Sequence, residues 1–188
     1  MMGSRIKLRV INGGKPQRIQ ISAVELICIN SISYPVPSIT HILEEDTWQV
    51  LSADPGIREV DEHPIRIMTG LIDQKPLAIG DIITRGKNWQ AVVYDFDQEP
   101  ICRKEWVEAA MRKLLEKTEE KQLHEISLPL LGSIHGCLSW IESLEVIIQG
   151  LRSQPTQCLK RVWLDVAEDR QDDIQQKLLE EADNSGIF

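Results

Sequence analysis

Two glycines four residues apart, in LLGSIHG at 130–136, mark the part of this chain best suited to holding a ligand. Gly132 and Gly136 let the backbone turn sharply and come close to a bound group. Between them lie Ser133, Ile134 and His135, and the segment runs directly into a helix signal at Ser139. N–H groups at a helix start, helped by the helix dipole, favour an anion, so a phosphate or diphosphate suits this bend. A tight strand-to-helix connection with no ligand fits the same residues. His135 is a candidate phosphate contact or proton carrier, and Cys137 a candidate thiolate at the helix start. A surface histidine and an inert thiol are the plainer readings. Asp95 and Asp97 stand two apart at the end of an apolar run, hence on one face of a strand. Paired carboxylates there can do acid–base work or hold a cation; a solvated strand end is the alternative.

Positioning such groups requires strands that deliver them to one rim. ISLPLL (126–131) reads as a buried strand with Pro129 near its end. Ser139 followed by Glu142 is a capping-box pattern, and Trp140, Ile141, Leu144, Ile147, Ile148 and Leu151 then recur at helical spacing. Glu105–Lys121 carries Trp106, Ala109, Ala110, Leu114 and Leu115 on a second helical stripe, and Asp172–Ala182 is a charged terminal helix. VWLDV (162–166), WQAVVYDF (89–96) and VELICI (24–29) are apolar runs expected for strands covered on both faces. Ile6–Ile11 and Arg18–Ser22 alternate around Asn12-Gly13-Gly14-Lys15-Pro16 as strand, turn and strand. Ile39–Leu51 is read as one helix. Residues 52–73 are expected to be irregular, and Ala78–Thr84 to be a strand or turn-rich edge before a turn at 85–88. Helix and strand alternate from residue 105 onward. This implies a mostly parallel sheet within a single domain spanning 1–188.

The bulk numbers exclude several roles. A net charge of −8 argues against a general duplex-DNA binder, which needs a basic surface. No stretch is apolar enough to span a bilayer, and the opening residues lack a signal-peptide core, so a cytoplasmic protein is expected. Cys28, Cys102, Cys137 and Cys158 form no C-x-x-C pair and read as free thiols. His41, His63 and His124 share no ligand spacing with each other or with the cysteines, so neither a metal nor a cofactor is expected. Trp48 and Trp89 lie near loops, where core packing is the default reading and stacking on a base or joining an interface the alternative.

From Gly80 onward, somewhat over half the chain, the sequence resembles a macro domain. GDIITRGKNWQAVVYDFD (80–97) is similar to that family's G-D-x-x-x-T-x-G element and following strand. SLPLLGSIHG (127–136) is similar to its strand and diphosphate loop, usually P-x-x-G-T-G-x-x-G. The resemblance implies a three-layer α/β/α fold around a central mixed, mostly parallel sheet. It also implies ADP-ribose or a related nucleotide diphosphate held by Gly132, Ser133, Ile134, His135 and Gly136. Asn30 joins them as what ICINSISYPVPSI (27–39) keeps of the family's V-N-x-x-N element.

The pattern also departs from the family's. Ile134 takes the place of the loop's middle glycine. The spacing from Gly132 to Trp140 is closest to the branch that removes ADP-ribose from acidic side chains, yet Gly136 stands where that branch has its catalytic acid. VVYDFDQ ends without a lysine nucleophile, and no adenine-recognising aspartate appears near Asn12-Gly13-Gly14. Binding of a nucleotide diphosphate, or a scaffold role in protein contact or self-association, is therefore expected ahead of catalysis. A hydrolase using Asp95, Asp97 or His135 is the third reading.

Overall fold

The computed structural model describes residues 18–29, 39–51, 75–135 and 137–184. The expected strand at 6–11 and its turn, the irregular stretch at 52–73, Asn30 and Gly136 lie outside the described residues.

The strands are β1 (Arg18–Ile21), β2 (Val24–Ile29), β3 (Thr40–Asp46), β4 (Ile82–Arg85), β5 (Asn88–Tyr94), β6 (Glu125–Pro129) and β7 (Arg161–Asp165). Helix α1 (Lys104–Glu120) lies between β5 and β6, α2 (Trp140–Ser153) between β6 and β7, and α3 (Gln171–Asn184) after β7. The seven strands among the described residues form one sheet in the order β1-β2-β7-β6-β3-β5-β4. The five from β2 to β5 in that order run parallel, and β1 and β4 close the two edges antiparallel. This is the mixed, mostly parallel α/β architecture expected. Parallel pairing brings the C-terminal ends of β2, β7, β6, β3 and β5 to one rim, at Ile29, Asp165, Pro129, Asp46 and Tyr94. Loops that leave this rim are where open sheets of this type hold ligands.

The sheet alternates as its pleat demands. Leu26 and Cys28 of β2, Val162 and Leu164 of β7, and Ala91 and Val93 of β5 belong to the main core, with residues of all three helices. Ile27, Ile29 and Trp163 point the other way and meet Ile39 in a smaller cluster. In α1 the buried stripe is Val107, Ala110, Met111, Leu114, Leu115 and Thr118, so it sits one residue further round than the Trp106 and Ala109 expected. Helix α2 starts where its capping box predicts: the Glu142 amide donates to Ser139 Oγ, and the Glu142 carboxylate accepts from the Ser139 amide at 2.9 Å. Leu144, Ile147, Ile148 and Leu151 are buried as expected, whereas Trp140 is half-buried and Ile141 exposed. Trp89 lies in β5 as expected and is buried at 4% exposed, which is the packing reading. No described helix is long and apolar enough to cross a membrane.

One element contradicts the sequence reading outright. Residues 40–46 were expected within a helix and form β3, the strand between β6 and β5. Ile39, Ile42 and Leu43 have helical spacing, and the acidic triplet Glu44-Glu45-Asp46 reads as a solvated helix face. Pairing decides otherwise. β3 takes β5 along nearly its whole length, from His41↔Asn88 to Asp46↔Tyr94, and meets β6 at Thr40↔Ile126. Two of the carboxylates that hide the strand signal are satisfied by distant groups; Glu45, for one, is fully buried and accepts from the Gln90 amide at 3.0 Å.

Candidate functional site

The rim above β3, β5, β6 and β7 gathers most of the candidate residues. The chain leaves β6 at Pro129 and turns through residues 131–135 before α2. Gly132 sits in this turn at φ +81°, a left-handed conformation that side chains rarely adopt. A Cβ there would lie 2.9 Å from both Leu138 Cδ1 and Val107 Cγ2. Glycine at 132 is thus enforced by backbone angle and by packing of the loop onto α1. Its amide does not face open space either, since it donates to Glu44 Oε1 at 2.5 Å. Ser133 folds back on the loop, its Oγ donating to the Leu130 carbonyl at 2.7 Å. Ile134 is 61% exposed, and His135 is exposed with its ring edge-on to Tyr94, 5.0 Å between centroids.

Glu44 was not anticipated. Near the end of β3, half-buried, it accepts from the Gly132 amide and from the Tyr94 hydroxyl at 3.0 Å. Burial pushes its carboxyl up to about 7 from an ordinary 4.5, against the lowering effect of the Gly132 and Tyr94 hydrogen bonds. Tyr94 is raised in turn, chiefly by burial and secondarily by the Glu44 charge. The only sequence signal for Glu44 was the acidic triplet itself, which a helix surface explains equally well.

This arrangement has a consequence for stability. A carboxyl that holds its proton more tightly when folded contributes most below its unfolded value of 4.5, and that contribution disappears as pH rises to about 7. Replacing Glu44 with Gln is expected to flatten this limb, leaving the variant more stable than wild type by about 2 kcal/mol at pH 8 and no more stable at pH 4. Urea unfolding at the two pH values measures the difference; an equal change at both would show that the carboxyl does not titrate in this range.

Asp95 and Asp97 fall elsewhere than expected. Strand β5 ends at Tyr94, so they belong to the turn that follows and do not share a strand face. Asp95 accepts from the Asp97 amide at 3.1 Å, from Gln98 Nε2 at 2.5 Å and from Thr47 Oγ1 at 3.4 Å. Asp97 accepts from the Trp48 indole at 2.8 Å. Both carboxylates tie the turn after β5 to the turn after β3. Trp48 is accounted for in the same way. Asp46, fully buried, accepts from the amides of Trp48, Val50 and Leu51 at 2.6–2.9 Å, and so winds the chain around its own carboxylate. Cys137 lies against Cys102, and burial raises both thiols above their ordinary value, which removes the case for a reactive thiolate.

Beside the loop, on its β7 side, a cavity of about 620 Å³ opens between residues 129–134, the start of α2 and the segment after β7. Ser133, Ile134, Trp140, Asp165 and Arg170 are among its lining residues. Of the predicted ligand contacts, Ser133 and Ile134 face this cavity, Gly132 is turned toward β3, and His135 packs on Tyr94. Arg170 and Trp140 were not foreseen as site residues. One lies in an acidic run beyond the last strand, and the other has the spacing of a core position.

The architecture is similar to that of solved macrodomains. The Oceanobacillus iheyensis macrodomain with ADP is 19% identical, covering 91% of this chain and 98% of that one with a TM-score of 0.58. A variant of the same macrodomain with ADPR is 18% identical, covering 89% and 98% at a TM-score of 0.61. The macrodomain of Thermus aquaticus DarG is 18% identical over 76% of this chain and 98% of that one, at a TM-score of 0.51. No family model matches the sequence, and no curated protein matches it. At these identities the likeness is one of fold, and the fold is that of a macrodomain.

Proposed function

We propose that this chain binds ADP-ribose or a related nucleotide diphosphate, without strong catalysis, in the cavity beside residues 129–134. The observation that supports the reading most is the cavity itself. It has the volume of a nucleotide site and lies at the ligand rim of a fold whose solved examples include complexes with ADP and ADPR. Its lining offers an exposed cation, Arg170, for phosphate, and the half-buried face of Trp140 for an apolar group. A binding role is preferred to hydrolysis because Asp95 and Asp97 are engaged in holding turns together.

Calorimetric titration with ADP-ribose is expected to give saturable heat, and Arg170→Ala to weaken binding about tenfold through loss of a charge-assisted contact. Absence of heat and of any thermal shift at millimolar ADP-ribose would remove the reading. A scaffold that takes no nucleotide is the second reading. It is favoured by one contact, the Glu44 carboxylate already seated on the Gly132 amide.

A further inference from the structure

We propose that Glu44 is a built-in competitor of the ligand: its carboxylate occupies the loop after β6, and a diphosphate binds well only once that carboxylate has taken up a proton. The inference rests on the nucleotide reading above and adds a condition to it.

The geometry is specific. The Gly132 amide is the loop donor most constrained in direction, because φ +81° and contact with Leu138 and Val107 hold it in place. It points at Glu44 and not at solvent. The groups facing Glu44 come from every neighbouring element. They are the Tyr94 hydroxyl from β5, the Gly132 amide from the loop, and the thiols of Cys102 and Cys137 from the segments before α1 and α2. His135 reaches it only through Tyr94, donating its amide to the Tyr94 hydroxyl at 3.4 Å. None of these is a cation, and among the described residues Glu44 makes no ion pair. An ionised Glu44 therefore places an uncompensated negative charge directly behind the turn that lines the cavity with Ser133 and Ile134. A diphosphate brought to that turn meets like charge in a poorly screened setting, which opposes binding. Protonation removes the charge and leaves the loop's shape to the packing of Gly132, Leu138 and Val107.

The expected size follows from linkage. If only the protonated form accepts ligand, apparent affinity scales with the protonated fraction. For a carboxyl at about 7, that fraction changes roughly tenfold between pH 8 and pH 6.

The test is calorimetric titration of the full chain with ADP-ribose, whose diphosphate keeps the same charge across this range. Titrations at pH 6 and pH 8, each in two buffers of different ionisation enthalpy, report affinity and protons exchanged together. Wild type is expected to bind about tenfold more tightly at pH 6 and to take up nearly one proton per ligand at pH 8. Glu44→Gln is expected to take up none and to bind at pH 8 as wild type binds at pH 6. Tyr94→Phe, which removes a hydroxyl that favours the ionised form, is expected to move the midpoint of the wild-type affinity profile to higher pH. It provides a second test should the Gln variant fold poorly. Binding without proton uptake, uptake that persists in Glu44→Gln, or an unmoved midpoint in Tyr94→Phe overturns the competitor role while leaving the nucleotide reading intact. No binding by any of the three proteins at either pH overturns both.

Discussion

Asp46→Ala is expected to destabilise the fold by about 3 kcal/mol, since removing the buried acceptor takes away the protein partner of several main-chain donors at once. Three amides, from Trp48, Val50 and Leu51, converge on this one carboxylate, which is fully buried. The loss is large because the donors belong to the main chain and cannot turn away without unwinding the turn after β3. Asp46→Asn retains one carbonyl oxygen and is expected to lose about half as much. Urea unfolding with matched slopes measures both. A cost for Asp46→Ala below 1 kcal/mol would mean that the turn finds other partners for these amides.

Gly132→Val carries the second large effect, about 4 kcal/mol. Two causes add: the left-handed backbone angle disfavours any side chain, most of all a branched one, and the new atoms overlap Leu138 and Val107. Both neighbours are buried, so neither can move far without opening the contact between loop and α1. Thermal unfolding checks the size. Gly132→Ala, which adds a single carbon, is expected to lie between Gly132→Val and wild type. If Gly132→Val were as stable as the parent while losing ligand affinity, the glycine would be serving the ligand and not the fold.

Local signals in the sequence were sufficient for some elements and not for others. The starts of α1 and α2, the end of β6 at Pro129 and the Ser139 capping box depend on residues within a few positions of one another, and these were readable. Strand β3 was not. Its apolar residues are few, and its carboxylates are reconciled with burial by Gln90, Gly132 and Tyr94, which lie 45 to 88 positions away. The same cause hid Glu44 as a site residue. Gly132 was identified as exceptional, but the contact that makes it so is with side chains that only the folded chain brings near. Asp95 and Asp97 were read as sharing a strand face, but spacing alone could not show that β5 stops at Tyr94, two residues before the expected end at Phe96, and that Trp48 lies across the gap.

The position of β7 sets the order in which the molecule can be completed. Among the described strands it comes last in the chain and sits between β2 and β6, with Val162 opposite both Leu26 and Ile126. Among the described strands, the hairpin of β1 and β2 reaches the rest of the sheet through β7. During synthesis, a chain that has not yet released residue 165 from the ribosome therefore exposes one bare edge on β2 and another on β6, the kind of surface that recruits chaperones or other nascent chains. Among the described strands, β1 and β2 join the others only once β7 is in place.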